Sequence, residues 1–256
     1  MIESDELDRY KVVVFPAQLA LTVEQRRAIH EKFERNGRTL VWMYAPGVFR
    51  AEGTHLNISD GNTDVCGFTL EKETALHTLV MKPDRAAFKD FFGIDAVENR
   101  LGWSNTPLYG GFSYKIDYAN PKPIPPQVFE ARFMVKDQPG MTILARYEEG
   151  GAPAAAVKRF PGHTSVFWGA GILNVSAFRA IAAAAGVHLY TDRPAVVYAS
   201  DNFGMVHLKE SGPVRVKLPR KVKRITDLTD GGMIAHDTDS FTVDPGAKGT
   251  CLFQFQ

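Results

Sequence analysis

Arg38-Thr39-Leu40-Val41-Trp42-Met43-Tyr44-Ala45-Pro46-Gly47-Val48-Phe49 is the stretch that decides the fold. Residues 40–44 form an unbroken apolar run, the pattern of a strand covered on both faces. Pro46-Gly47 halts that strand and turns the chain away. In open α/β sheets the carboxyl ends of such strands carry the nucleophiles and ligand loops. The turn here offers Tyr44, Ala45, Pro46 and Gly47, and no Cys, Ser or Asp. A position suited to a reactive group carries none.

Upstream, Lys11-Val12-Val13-Val14-Phe15 is β-branched, apolar after the lysine, and stopped by Pro16, which predicts a first strand. Thr22 with Gln25 three residues on is a capping-box signature. Ala28, Ile29 and Phe33 then give an amphipathic helix to about Arg35, closed by Asn36-Gly37. Strand, helix and buried strand make a βαβ unit.

Downstream, residues 55–64 are polar and read as loop with a short helix. Residues 66–70 and 78–81 read as strands separated by charges, and 86–92 as a short helix. Residues 102–126 hold Trp103, Tyr109, Phe112, Tyr114 and Tyr118 and the cluster Pro121, Pro123, Pro125 and Pro126, and read as irregular chain laid over the sheet. Strand patterns follow at 129–135, 142–147, 155–160 and 164–168. Ser176 is then expected to cap a helix over 177–185 that Gly186 ends. From Val187 onward, short strands recur about every ten residues between Gly, Pro and Asp turns, the spacing of a small antiparallel sandwich or barrel. The expected organisation is an α/β domain over 1–186 and a small all-β domain over 187–256.

With 45% hydrophobic and 23% charged residues, 256 positions suffice for a core without disulfides or metal. The net charge of +1 supplies no global field toward nucleic acid or membrane. The opening Met1-Ile2-Glu3-Ser4-Asp5-Glu6 is acidic and lacks the apolar segment of a signal peptide, so a cytoplasmic location is expected. No cofactor and no metal are expected. The two cysteines, Cys66 and Cys251, have no ligand spacing, and no His-x-x-x-His pattern occurs. Cys66 lies in an apolar run without an elbow, the setting of a structural thiol rather than a nucleophile. Gly169-Ala170-Gly171 follows a strand and precedes a helix, but position 174 is Asn, so the dinucleotide fingerprint is incomplete and a tight turn is expected.

Arg215, Lys217, Arg220, Lys221, Lys223 and Arg224 place six cations in ten residues. Alternation over 214–218 suggests a solvated edge strand guarded by charge, with a docking patch for an acidic partner or anionic polysaccharide as the functional alternative. No aromatics interleave with these charges, which argues against nucleic acid.

Tyr10-Lys11-Val12-Val13-Val14-Phe15, residues 37–47 with their Trp42-x-Tyr44-Ala45-Pro46-Gly47, and Ala185-Gly186-Val187-His188-Leu189-Tyr190 leading into Val197-Tyr198-Ala199 together resemble the non-catalytic C-terminal region of β-galactosidases of glycoside hydrolase family 42. Asp227-Leu228-Thr229-Asp230-Gly231 is similar to a C-terminal turn of such enzymes. The resemblance covers nearly the whole chain. It implies a flavodoxin-like, class I glutamine amidotransferase-like domain with a mostly parallel sheet, called the trimerisation domain in that family, followed by a small antiparallel all-β domain. Amidotransferases carry a Cys on the elbow after the strand that residues 40–44 resemble; Tyr44-Ala45-Pro46-Gly47 makes that elbow degenerate. The family's catalytic glutamates belong to a barrel that is absent here, so no catalytic residue is carried over.

The expected role is oligomerisation, or support of a carbohydrate-active catalytic chain, with another copy or a glycosidase barrel as partner. Two alternatives stand beside it. One is a small hydrolase using His163 or loop carboxylates such as Glu52. The other is a carbohydrate-binding protein using Trp103, Tyr109 and Tyr114, with His163 as a further ligand-binding candidate.

Overall fold

Thr22 initiates the first helix as a full capping box: its side chain accepts from the Gln25 backbone N–H at 3.2 Å, and the Gln25 side chain accepts from the Thr22 N–H at 3.0 Å. Two of the helix's orphan donors are thereby satisfied. The helix ends at Phe33 with Glu34 as its C-cap, and Asn36 and Gly37 then turn the chain at left-handed φ of 62° and 67°. These are contacts of a computed structural model, which describes residues 5–16, 18–52, 55–58, 62–63, 65–77, 79–94, 99, 101–102, 130–171, 173–246 and 249–256.

The chain divides into two units, Met1–Val187 and His188–Gln256. The first contains strands β1 (Val12–Phe15) and β2 (Ala20–Leu21), helix α1 (Val23–Phe33), and strands β3 (Arg38–Met43), β4 (Phe49–Glu52), β5 (His55–Ile58), β6 (Asn62–Thr63), β7 (Phe68–His77) and β8 (Val80–Pro83). Helix α2 (Arg85–Phe92), strands β9 (Leu101–Gly102), β10 (Glu130–Val135), β11 (Met141–Tyr147), β12 (Pro153–Arg159) and β13 (His163–Trp168), and helix α3 (Val175–Ala184) complete it.

Seven of these strands form the main sheet in the order β1-β3-β13-β12-β11-β8-β9. Only the β1–β3 and β3–β13 pairings are parallel; the remaining four are antiparallel. The expectation of a mostly parallel sheet is therefore corrected to a mixed one. Its cause is local. The tight turns at Glu148-Glu149-Gly150-Gly151 and Phe160-Pro161-Gly162 are too short for a crossover, so they force β11–β12 and β12–β13 into hairpins.

Every residue of β3 is buried. Val41 and Met43 join one core with Phe88 and Phe92 of α2, Ala177, Ala180 and Ile181 of α3, and Trp168. Leu40 and Trp42 join the opposite core with Ile29 and Phe33 of α1, Phe68, Leu70 and Phe133. The three-stranded sheet β10-β7-β6 thus shares one face of the main sheet with α1, while α2 and α3 cover the other. Other local differences have equally simple causes. Residues 55–58 and 62–63 are strands, not loop and helix. The charged run Glu71-Lys72-Glu73 lies inside β7, where Glu71 and Lys72 are exposed and the two glutamates pair with Lys136 and Arg132 of the neighbouring chain segment. Asn174, not Ser176, is the N-cap of α3, and Ser176 is buried within it.

The second unit is an antiparallel sheet of β14 (Val196–Ala199), β15 (Phe203–His207), β16 (Val214–Asp227), β17 (Met233–Val243) and β18 (Thr250–Phe255), in the order β14-β15-β18-β16-β17. Its core is Val206, Val214, Val216, Ile225, Phe241, Phe253 and Phe255 with their neighbours. The cationic β16 pairs with β17 along most of its length but with β18 only over residues 225–227. Beside residues 215–217 its other edge bonds to residues 190–192, so that part is not the open guarded edge that its charge pattern suggests. Segments 214–218 and 224–228, which read as two strands, belong largely to this one strand. A register shift between Lys217 and Val222 absorbs Pro219, which has no N–H to donate to a ladder.

Candidate functional site

The carboxyl ends of the parallel strands converge on the turn after β3. There Tyr44 has a left-handed φ of 66°, uncommon for a non-glycine residue, and its N–H donates to the Trp168 carbonyl at 2.7 Å. Gly47 follows at φ 64°, where a Cβ would lie 3.1 Å from the Arg26 guanidinium and 3.2 Å from Val65, so both conformation and space call for glycine. The turn is fixed from two sides. Gly47 and Phe49 donate to the carbonyls of Gln18 and Leu19 at 2.8 Å each. Arg26, a buried residue of α1, donates to the carbonyls of Gly47 at 2.5 Å and Phe49 at 3.3 Å.

Side chains pack against this turn. The Tyr44 ring meets Phe133 edge-on, centroids 5.2 Å apart. The Tyr147 hydroxyl lies 2.9 Å from the carbonyls of both Phe133 and Gly169 and shares its single proton between them. Burial raises the Tyr147 pKa well above the phenol range, although neighbouring Arg132 pulls the other way, so the group stays protonated. Arg132 is buried, with its guanidinium 5.1 Å from the Tyr147 ring centre. Its Nε and Nη2 reach Glu73 Oε2 at 2.8 and 2.6 Å, and its Nη1 donates to the Glu149 carbonyl at 2.7 Å. Gly169-Ala170-Gly171, the turn with a phosphate-loop appearance, is packed against this cluster. A Cβ on Gly169 would collide with the Tyr147 hydroxyl and stand 2.6 Å from the Ala154 carbonyl.

Chemically this end of the sheet is a plug. A phenol that cannot ionise and a guanidinium bonded to a carboxylate supply neither nucleophile nor base. Among the described residues, no group of three or more His, Cys, Asp and Glu is placed to hold a metal ion.

His163 lies elsewhere. It opens β13 and pairs with Arg38, whereas the turn adjoins Trp168 and Met43, five residues along, or roughly 16 Å at the rise of a strand. Its ring stacks on Phe160 at 4.7 Å and 7°. Partial burial lowers its pKa; Glu34 opposes that shift and His30 adds to it. His163 and the Tyr44–Gly47 turn therefore do not form one site. Trp103, Tyr109 and Tyr114 lie outside the described residues, as do Phe112 and Tyr118. Cys66 is buried and its Sγ lies 3.7 Å from the Phe68 carbonyl.

Sequence reasoning missed Arg132, Glu73 and Tyr147. Their one visible signal is ionisable or phenolic residues inside strand patterns, which require partners when buried.

No protein-family model matches the chain, and no curated protein matches it by sequence. Solved structures do. A β-galactosidase from Bacillus circulans sp. alkalophilus aligns over 100% of this chain and 34% of its own, with a TM-score of 0.57 and 14% identity. A GH42 β-galactosidase from G. stearothermophilus aligns over 97% of this chain and 32% of its own, with a TM-score of 0.54 and 14% identity. A β-galactosidase from the Antarctic haloarchaeon Halorubrum lacusprofundi aligns over 99% and 32%, with a TM-score of 0.55 and 14% identity. The chain thus shares the fold of a region of these proteins and spans about a third of their length.

Proposed function

We propose that this chain is a non-catalytic accessory region of a β-galactosidase-like glycoside hydrolase, acting in oligomerisation or in support of a catalytic barrel. The observation that carries the reading is the plugged turn after β3. The strained backbone that would expose a nucleophile is present at Tyr44, but its surroundings are filled by Phe133, Tyr147 and Arg132. Alignment of nearly the whole chain with a third of several β-galactosidases supports the same reading.

In this reading the first unit is an amidotransferase-like scaffold that has exchanged its reactive residue for packing. The second unit is a β domain that follows it. The partner is a further copy of the chain or a glycosidase barrel. Light scattering on the purified chain, alone and mixed with a β-galactosidase catalytic barrel, tests this. A defined oligomer or a stable complex is expected; a monomer that forms neither would sink the proposal.

A further inference from the structure

On the second unit, two adjoining depressions of about 350 and 750 Å³ share Ser200, Asp201, Arg220, Val222 and Phe255, and so form one open groove. The volumes fall in the range of small-ligand sites. The groove is made by two irregularities of the sheet. One is the turn between β14 and β15, closed by the Ser200 N–H donating to the Phe203 carbonyl at 2.8 Å. The other is the register shift in β16, which breaks strand alternation so that Pro219, Arg220 and Lys221 are successively exposed. Arg220 Nη2 donates to the Asp201 carbonyl at 2.8 Å, tying the two together.

The lining has an uncommon balance. Leu218, Val222 and Phe255 form a buried apolar floor. Arg220, Lys221 and Lys223 set three cations above it, with Asp201 as the one acidic side chain in the lining. None of the ion pairs among the described residues uses these three cations. Like charges gathered at an unneutralised groove favour an anionic occupant. The Asp201 carboxylate, Ser200 hydroxyl and Asn202 amide add acceptors, which require a ligand that also donates. A sugar with acidic substituents meets both demands: its anionic group faces Arg220, Lys221 and Lys223, its hydroxyls donate to Asp201 and Asn202, and its C–H face lies on the floor. A nucleic-acid backbone offers only acceptors toward Asp201 and finds a single half-buried ring in the lining, Tyr190, to stack on.

We infer that this groove binds an anionic saccharide, a uronate or a sulfated sugar. The site uses the second unit alone and does not depend on the accessory reading above.

Calorimetric titration of the full chain at fixed low ionic strength tests it. The probes are an oligogalacturonide, a sulfated galactan oligosaccharide, a neutral galactan oligosaccharide, poly-glutamate and a single-stranded oligonucleotide. Binding of either anionic saccharide in preference to the other three is expected, and whichever is tighter assigns carboxylate or sulfate. Lys221→Ser with Lys223→Ser should weaken that binding by roughly tenfold or more, while Lys217→Ser, an exposed lysine of the same strand outside the groove, should leave it unchanged. Circular dichroism confirms that each variant is folded. Asp201→Ala separates the hydroxyl contribution, weakening sugar binding without improving selectivity. No binding of either anionic saccharide overturns the proposal. So do equal binding of poly-glutamate or the oligonucleotide, equal binding of the neutral sugar, and an equal effect of Lys217→Ser.

Discussion

Gly169→Ala is the sharpest probe of the packing that closes the turn after β3. The added Cβ would meet the Tyr147 hydroxyl well inside contact distance and stand 2.6 Å from the Ala154 carbonyl, where even close C–H···O contacts need about 3.3 Å. Neither neighbour yields readily. The hydroxyl is held by the Phe133 and Gly169 carbonyls, and Ala154 accepts the Gly169 N–H at 2.8 Å. Overpacking costs about 1–3 kcal/mol, and disturbing the buried hydroxyl adds about 1–2 kcal/mol. A loss of roughly 2–5 kcal/mol lowers the midpoint of a unit this size by about 5–15 °C. Gly151→Ala is the contrasting control: its φ of 66° carries a left-handed penalty that Gly169 does not, but nothing lies within 4 Å of the new atom. It should cost about 1–2 kcal/mol, from backbone alone. Thermal unfolding followed by circular dichroism measures both. Adding Tyr147→Phe to Gly169→Ala removes the struck oxygen, so the pair should be less destabilised than the sum by roughly 1 kcal/mol. A Gly169→Ala shift no larger than that of Gly151→Ala, with strict additivity in the double variant, would refute the reasoning.

Arg38→Met should destabilise by about 3–5 kcal/mol in denaturant titration, because the buried guanidinium donates to the carbonyls of Leu7, Tyr10 and Lys32 and to Asp8. Thr22→Ala removes half of the capping box and should cost about 1 kcal/mol by the same method. The folded-state pKa of His163 is lowered, chiefly by burial, so the unfolded chain takes up the proton first as pH falls through the ordinary value of 6.5. Its contribution to stability is therefore present above that value and lost below it. His163→Gln should show a smaller loss between pH 8 and pH 5 than the parent chain, and an equal or larger loss would refute this assignment.

What the sequence made legible is what short-range physics decides. Thr22 and Gln25 lie three residues apart, and their capping box forms as read. The apolar run through Leu40 and Trp42 is buried on both faces as read, because neighbouring residues alone specify a two-sided strand. The direction of the later strands was not obtained, although the turns at Gly150-Gly151 and Pro161-Gly162 encode hairpins; the βαβ start was extended to strands that do not share its connections. Segments 214–218 and 224–228 read as separate strands, and only the pairing with β17 on both sides of the shift shows one long β16. The plug was least legible. Tyr147 meets carbonyls 14 and 22 residues away, and Arg132 meets a glutamate 59 residues away, contacts that no local pattern announces.

The central claim is that this chain brings no reacting group to glycoside chemistry, and its most direct test is hydrolysis of chromogenic β-galactosides by the purified chain, made in a host lacking β-galactosidase. The account predicts release no faster than the protein-free blank, before and after Tyr44→Ala or His163→Gln. Turnover that co-purifies with the chain and disappears on changing Glu52 or His163 would contradict it.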